Sequence, residues 1–190
     1  AGGAGNDYYI VDSTLDSMSD SAGVDSVLAN VDAYTLDSAS GVDWLLFGSN
    51  PSVVSGTGNS LANTLLGNSV ANTLDGGSGI DSLAGGDGND YYIVDSTSDI
   101  VSDSSGTDSV LANVTGFTLA NNIEWLILDG TTAVGTGNSL ANTLLGNSVA
   151  NTLSGAAGAD SLDGGDGSDS LDGGADNDTL NGGAGNDTLN

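Results

Sequence analysis

A triplet of Asx, Ser or Thr, and Leu returns every nine residues toward the end of the chain. It stands at Asn142-Thr143-Leu144, Asn151-Thr152-Leu153, Asp160-Ser161-Leu162, Asp169-Ser170-Leu171, Asp178-Thr179-Leu180 and Asp187-Thr188-Leu189. The same spacing links Asn63, Asn72, Asp81, Asp90, Asp99 and Asp108, and earlier Asp7, Asp16, Asp25, Tyr34 and Asp43. The frame slips by two residues near Pro51 and again between Phe117 and Asn142. A period of nine leaves few folds open. An α-helix of 3.6 residues per turn would carry each leucine to a new face, and the glycine pairs between triplets would interrupt it. A short strand plus a tight turn does fit. The residue after the Asx points outward and the leucine inward, by the two-residue alternation of strands, and glycines supply positive φ in the turn. Two units close one flattened coil, so residue i stacks on residue i+18 over a ladder of Leu, Val, Ile and Tyr. The expected fold is all-β, a parallel β-roll or β-solenoid of stacked 18-residue coils. One coil cannot bury its apolar face alone, so the solenoid is expected to run continuously over residues 1–190.

A longer repeat lies over the short one. GNDYYIVDST begins at Gly5 and Gly88, DSVLANV at Asp25 and Asp108, and GTGNSLANTLLGNSVANTL at Gly56 and Gly135. The spans 5–81 and 88–160 therefore read as a tandem duplication, followed by uniform nonapeptides over 155–190. The chain starts and stops within a repeat, which reads as a piece of a longer protein or a processed product.

Charge sharpens the question. The chain has 26 acidic residues and no Lys, Arg or His, for a formal net charge of −26. Such a chain repels itself when compact unless positive charge comes from outside, as counterions or bound metal. Nucleic acid and anionic membrane are excluded as partners, because no cationic side chain exists to meet phosphate. Catalysis by His, Lys or Cys is impossible, and a Ser or Asp nucleophile would lack its usual base; no enzyme activity is expected. The absence of cysteine removes disulfides and zinc–thiolate sites. High charge with many Gly, Ser and Asn residues usually means disorder, but 37% of the residues are hydrophobic and they fall on the nine-residue clock.

Metal is the remaining source of positive charge, and the glycine turns suit it. The pattern G-G-x-G-x-D-x-U-x, with U apolar, starts at Gly2, Gly76, Gly85, Gly164 and Gly182. GGADND (Gly173 to Asp178) and GAAGAD (Gly155 to Asp160) depart from it by one residue each. Ca²⁺ takes six to eight oxygen ligands. A glycine turn exposes backbone carbonyls, and the Asp at its end adds a carboxylate. Stacking coil on coil would bring two such turns to one edge. The strongest pairs are Asp160 with Asp178 and Asp169 with Asp187. Next come Asp90 with Asp108, Asp81 with Asp99, Asp7 with Asp25 and Asp25 with Asp43. Their turns include Gly76, Gly77, Gly85, Gly86, Gly164, Gly165, Gly167, Gly182, Gly183 and Gly185. Metal binding and folding would then be one event.

On these motifs the chain resembles the RTX, or haemolysin-type, calcium-binding β-roll family. The resemblance covers nearly the whole chain. It implies export by a bacterial type I system, unfolded in the calcium-poor cytoplasm and folding outside, with a secretion signal beyond the repeats. The expected location is extracellular or at the bacterial cell surface.

Asn63, Asn72, Asn142 and Asn151 occupy Asp positions where the glycine pair is lost. These coils are expected to bind no calcium and to form asparagine ladders with their stacked neighbours. Asp12, Asp20, Asp32, Asp37, Asp95 and Asp129 fall off the clock and read as solvated turn residues. Trp44 and Trp125 sit at outward positions, where the loops SNPSVV and DGTTAV are expected to cover them; the alternative is an exposed aromatic stripe. The function expected is a calcium-loaded structural segment of a filament, surface layer or long adhesin, continuing into like repeats or packing head to tail. The rivals are an accessory module of a secreted enzyme and an adhesin module reading glycan or ice.

Overall fold

The inward leucine of each nonapeptide sits at the middle of a short strand, flanked by two outward residues. The computed structural model describes residues 2–38 and 40–190. Strands and turns make up all of it; no helix occurs among the described residues. The chain divides into two compact units, Ala1–Gly106 and Thr107–Asn190.

The first unit holds β1 (Tyr8–Val11), β2 (Ser26–Ala29), β3 (Tyr34–Thr35), β4 (Trp44–Phe47), β5 (Ser55–Thr57), β6 (Thr64–Leu66), β7 (Thr73–Asp75), β8 (Ser82–Ala84), β9 (Tyr91–Val94) and β10 (Ile100–Ser102). One parallel sheet runs β1-β2-β4-β6-β8-β10, and the other face carries β3, β5, β7 and β9 in that order. The second unit holds β11 (Ser109–Ala112), β12 (Phe117–Thr118), β13 (Trp125–Leu128), β14 (Val134–Thr136), β15 (Thr143–Asn147), β16 (Thr152–Ser154), β17 (Ser161–Gly167), β18 (Ser170–Asp172), β19 (Thr179–Asn181), β20 (Ala184–Gly185) and β21 (Thr188–Leu189). Its faces are β11-β13-β15-β17-β19 and β12-β14-β16-β18-β21, with β20 against β17. Each unit is thus a parallel β-solenoid, as expected; apart from β1 and β2, which pair on one face, and the short β20, consecutive strands within a unit alternate between its two faces.

The core is the stacked inward row. In the first unit Val27, Leu45, Leu65 and Leu83 lie in register and are fully buried. Leu126, Leu144 and Leu162 do the same in the second. Each buried leucine contributes about 2 kcal/mol relative to an exposed one. Glycine interrupts the row where a neighbour fills the space. A Cβ on Gly56 would stand 2.6 Å from the Phe47 ring and 2.9 Å from Leu45 Cδ2.

The frame slips have structural addresses. Tyr34 pairs with Gly56 and Trp44 with Thr64, so the coils that pass Pro51 are longer than two nonapeptides. Ser109 pairs with Trp125, so the coil between them is shorter than two. The slip therefore corrects one reading. Tyr34 does not hold an Asx position; its ring is buried in the inward row. Asp32 holds the turn instead. Its Oδ1 accepts the Val54 and Ser55 N–H groups (3.0 and 2.8 Å) and the Ser55 hydroxyl (2.9 Å). The loops also leave the tryptophans partly in solvent: Trp44 is 36% and Trp125 37% exposed.

Candidate metal centre

The turn between strands is built around its Asx. In the uniform repeats Asp160 N–H donates to Asp178 Oδ1 at 2.9 Å, and Asp169 N–H to Asp187 Oδ1 at 3.0 Å. Each pair lies on one edge, one turn stacked on the next. Ala157 bridges Ala175 in parallel, and Asp166 and Gly167 pair with Ala184 and Gly185. Gly165 (φ 88°) and Gly167 (φ 139°) supply the left-handed geometry. Where the motif departs, Ala156 (φ 80°) and Asp176 (φ 82°) also take positive φ, which is unfavourable for residues with a Cβ.

The first glycine of the motif keeps space open for oxygen. A Cβ on Gly155 would land on Asp160 Oδ2, with the Gly173 carbonyl 2.6 Å away. A Cβ on Gly164 would land on Asp169 Oδ2, with the Gly182 carbonyl 2.8 Å away. A carboxylate oxygen and a carbonyl oxygen from successive turns thus converge beside each glycine. Gly76, Gly85, Gly173 and Gly182 stand against the carboxylates of Asp81, Asp90, Asp178 and Asp187 in the same way.

The second carboxylate oxygen has no protein donor. Asp160 and Asp169 each bury an Oδ2 without a hydrogen-bond partner, and so do Asp7, Asp20, Asp25 and Asp81. Such orphans cost about 1–3 kcal/mol apiece, more when charged. Burial pushes the Asp81 carboxyl up to about 6, against the lowering effect of the Asn63 N–H and with help from Asp99. Burial also raises Asp160, the Asn142 N–H opposes it, and Asp178 adds to it. At Asp25 the Asp7 N–H bond is the largest influence and lowers the pKa, but burial and Asp20 outweigh it. The chain has no basic side chain to offset any of these groups. Buried, unpartnered hard oxygens that converge with carbonyls fit Ca²⁺.

The other sequence-derived pairs divide. Asp7 N–H donates to Asp25 Oδ1 and Asp25 N–H to Asp43 Oδ2, both at 2.8 Å, so these two pairs stack. Asp81 N–H donates to Asp99 Oδ1 at 3.0 Å. Asp99 spends its other oxygen on the N–H groups of Asp95 and Ser96, which closes its turn locally. Asp90 lies in the first unit and Asp108 in the second. Within its unit Asp90 Oδ1 accepts the Asn72 N–H at 2.6 Å. Asp108 N–H donates to Glu124 Oε2 at 2.8 Å. Glu124 thus acts as the turn acid of the short coil, and its longer side chain makes up for the shorter backbone.

The asparagine ladders do not form. The residue stacked one coil above Asn63, Asn72, Asn142 and Asn151 is an Asp in each case, and its Oδ1 accepts the asparagine backbone N–H at 2.6–2.7 Å. The amide groups bond to backbone instead, except that Asn72 Nδ2 donates to the Asn68 side chain at 3.3 Å. Asn63 Oδ1 accepts the Asn59 N–H at 2.7 Å, and its Nδ2 donates to the Val42 carbonyl at 3.0 Å. Sequence reasoning also missed the tyrosine hydroxyls. Tyr92 is buried among the leucines; its OH accepts the Gly85 N–H at 2.9 Å and donates to the Asp103 carboxylate. Tyr9 accepts the Gly2 N–H in the same way. The repeated Tyr-Tyr after Asp7 and Asp90 was the available signal.

Stacked parallel coils with carboxylates and glycine carbonyls at the turns define a metal-binding β-roll. The family model of the RTX calcium-binding nonapeptide repeat matches the chain in four copies, over residues 57–92, 66–101, 136–171 and 154–189, together more than half its length. The chain belongs to this family, and its metal is calcium. Among curated proteins, none matches the chain.

Proposed function

We propose that the chain is a calcium-loaded structural segment of a secreted or cell-surface protein, with ions held between stacked glycine turns and with binding coupled to folding. The sites are Asp160 with Asp178 and Asp169 with Asp187 first, then Asp7 with Asp25 and Asp25 with Asp43; Asp81 with Asp99 is the weakest because Asp99 is already satisfied. One observation carries the reading: buried Oδ2 atoms lie unpartnered in a chain without lysine, arginine or histidine. Extracellular calcium is abundant and cytoplasmic calcium scarce, so such a segment stays unfolded until exported. The role is structural rather than catalytic. Extension into further repeats, or head-to-tail packing in a filament, surface layer or adhesin, follows the same logic as the stacking itself, since one coil cannot bury its apolar face without a neighbour.

The test is circular dichroism of the chelated chain during a calcium titration, with magnesium as control. The expected outcome is a cooperative gain of β signal with calcium alone. A full β signal in chelator, unchanged by calcium, would refute coupled folding. Sedimentation at high calcium and high concentration tests the packing; a chain that stays monomeric there sinks the head-to-tail arrangement.

A further inference from the structure

We propose that Asp20 joins Asp7 and Asp25 in a three-carboxylate calcium site, a ligand set that the nonapeptide motif does not contain. The site lies in the first unit, outside the residues matched to the family. It shares with the proposed function the premise that calcium neutralises these turns.

Asp20 opens the stretch DSAGVD, which ends at Asp25, and stands where the motif has its first glycine. It brings a carboxylate to a place where the glycine-pair turns offer only backbone. One carboxylate oxygen from each of Asp7, Asp20 and Asp25 lies within 4.8 Å of the other two. Oxygens bound to one calcium at 2.3–2.6 Å are at most about 5 Å apart, so a single ion reaches all three. The second observation is Asp25 itself. It is 0% exposed, and its Oδ2 has no hydrogen-bond partner. The Oδ2 atoms of Asp7 and Asp20 are also buried and unpartnered.

Two of the remaining oxygens have work already. Asp25 Oδ1 accepts the Asp7 N–H, and Asp20 Oδ1 accepts the Ser21 N–H at 2.7 Å. These bonds hold the Asp25 and Asp20 carboxylates in place and leave the Oδ2 of each to a cation. The two turns are joined around the cluster: Gly5 N–H donates to the Ala22 carbonyl at 2.8 Å, and Ser21 N–H to the Gly3 carbonyl at 3.1 Å. Three negative charges in one small volume, with no internal cation, call for an external one. Affinity in calcium sites rises with the number of charged ligands, so this site fills before the two-carboxylate sites. The duplication repeats the sequence device: Asp103 opens DSSGTD, which ends at Asp108.

Equilibrium dialysis of the full chain against radioactive calcium tests the assignment. The variants are Asp20→Asn, which keeps an oxygen for the Ser21 N–H, Asp20→Gly, which restores the motif, and Asp12→Asn, which removes an equal charge from an exposed position. In the expected result, both Asp20 variants need at least tenfold more free calcium to fill one ion per chain, while Asp12→Asn matches the parent. Asp20 variants within twofold of Asp12→Asn in count and midpoint would overturn the site alone. Loss of all bound calcium in both Asp20 variants would also overturn it, since the residue would then act through the fold. A parent chain that binds no calcium would sink the proposed function as well.

Discussion

Two kinds of turn share one scaffold in the second unit, and the side chains that close them differ by a single chemical group. At Asn142 and Asn151 the amide Oδ1 accepts the N–H of Asn138 and Asn147, and Nδ2 donates to a carbonyl of the preceding coil, Ile123 and Thr132 respectively, at 3.0 Å. At Asp160 and Asp169, one coil on, the side-chain Oδ2 is buried with no donor. An NH₂ that donates has become an oxygen that can only accept. The asparagine turn carries its own positive end; the aspartate turn requires one from solvent. The family match over 136–171 spans both kinds, so it marks the scaffold and does not assign a metal to each turn.

The harshest way to break the comparison is to put a carboxylate into an asparagine turn. Asn142→Asp removes the donor to the Ile123 carbonyl and sets a negative oxygen against it, in a turn that lacks the glycine pair. The expected loss is about 2–4 kcal/mol, read as a lower urea midpoint in chelator, and calcium restores none of it. Full recovery with calcium would mean that any Asx turn of this scaffold makes a site.

The reverse exchange sharpens the difference through its sign. Asp169→Asn removes a buried, unpartnered charge. In chelator the variant is expected to be more stable than the parent by about 1–2 kcal/mol. In millimolar calcium it is expected to be less stable, having lost a ligand. Paired melts with and without calcium decide it; the same sign in both conditions would mean that Asp169 does not hold an ion.

Much of this was legible in the chain, because the period that fixes the coil also fixes the turn. The stacking of Asp160 with Asp178 and of Asp169 with Asp187 follows from spacing alone. What spacing could not give was the division of labour between the two oxygens of one carboxylate, since that depends on which N–H groups the stacked turn presents. Asp99 keeps the same nine-residue spacing as Asp178, yet it closes its own turn on Asp95 and Ser96. Asp20 and Asp32 fall off the clock, and spacing alone makes both of them solvated turn residues. Asp32 is in phase once the longer coil after Tyr34 is counted, and Asp20 occupies a glycine position. Coil length set by loops, as at Pro51, is not a periodic property.

Protons are a weaker substitute for calcium in the same turns. Burial holds the Asp81 pKa at about 6 against an ordinary 3.8. Between those values the folded chain binds more protons than the unfolded chain, so the calcium-free fold loses stability as pH rises from about 4 to about 6. Calcium needs the ionised form, so its midpoint concentration is expected to rise as pH falls below about 6. Urea midpoints in chelator at pH 4.5 and pH 7 check the first statement. A higher midpoint at pH 7 would contradict it, and would place the stabilising groups among acids of depressed pKa such as Asp32, where burial is the largest influence and raises the pKa but the Val54 and Ser55 bonds together outweigh it.

The smallest effect asks whether the aspartate turn is shaped before its ion arrives. Ala156 holds φ at 80° where the motif has glycine. The left-handed conformation costs an L residue roughly 1–2 kcal/mol, and the extra backbone entropy of an unfolded glycine offsets about half of that. Ala156→Gly is therefore expected to stabilise the chain by about 0.5–1 kcal/mol. The turn is pinned by backbone bonds that do not involve metal: Ala175 N–H donates to the Ala156 carbonyl at 2.9 Å, and Gly155 N–H to the Asp172 carbonyl at 2.9 Å. The gain should therefore be equal in chelator and in calcium. A gain confined to calcium would mean that the ion, and not the stacked backbone, bends the chain through Ala156.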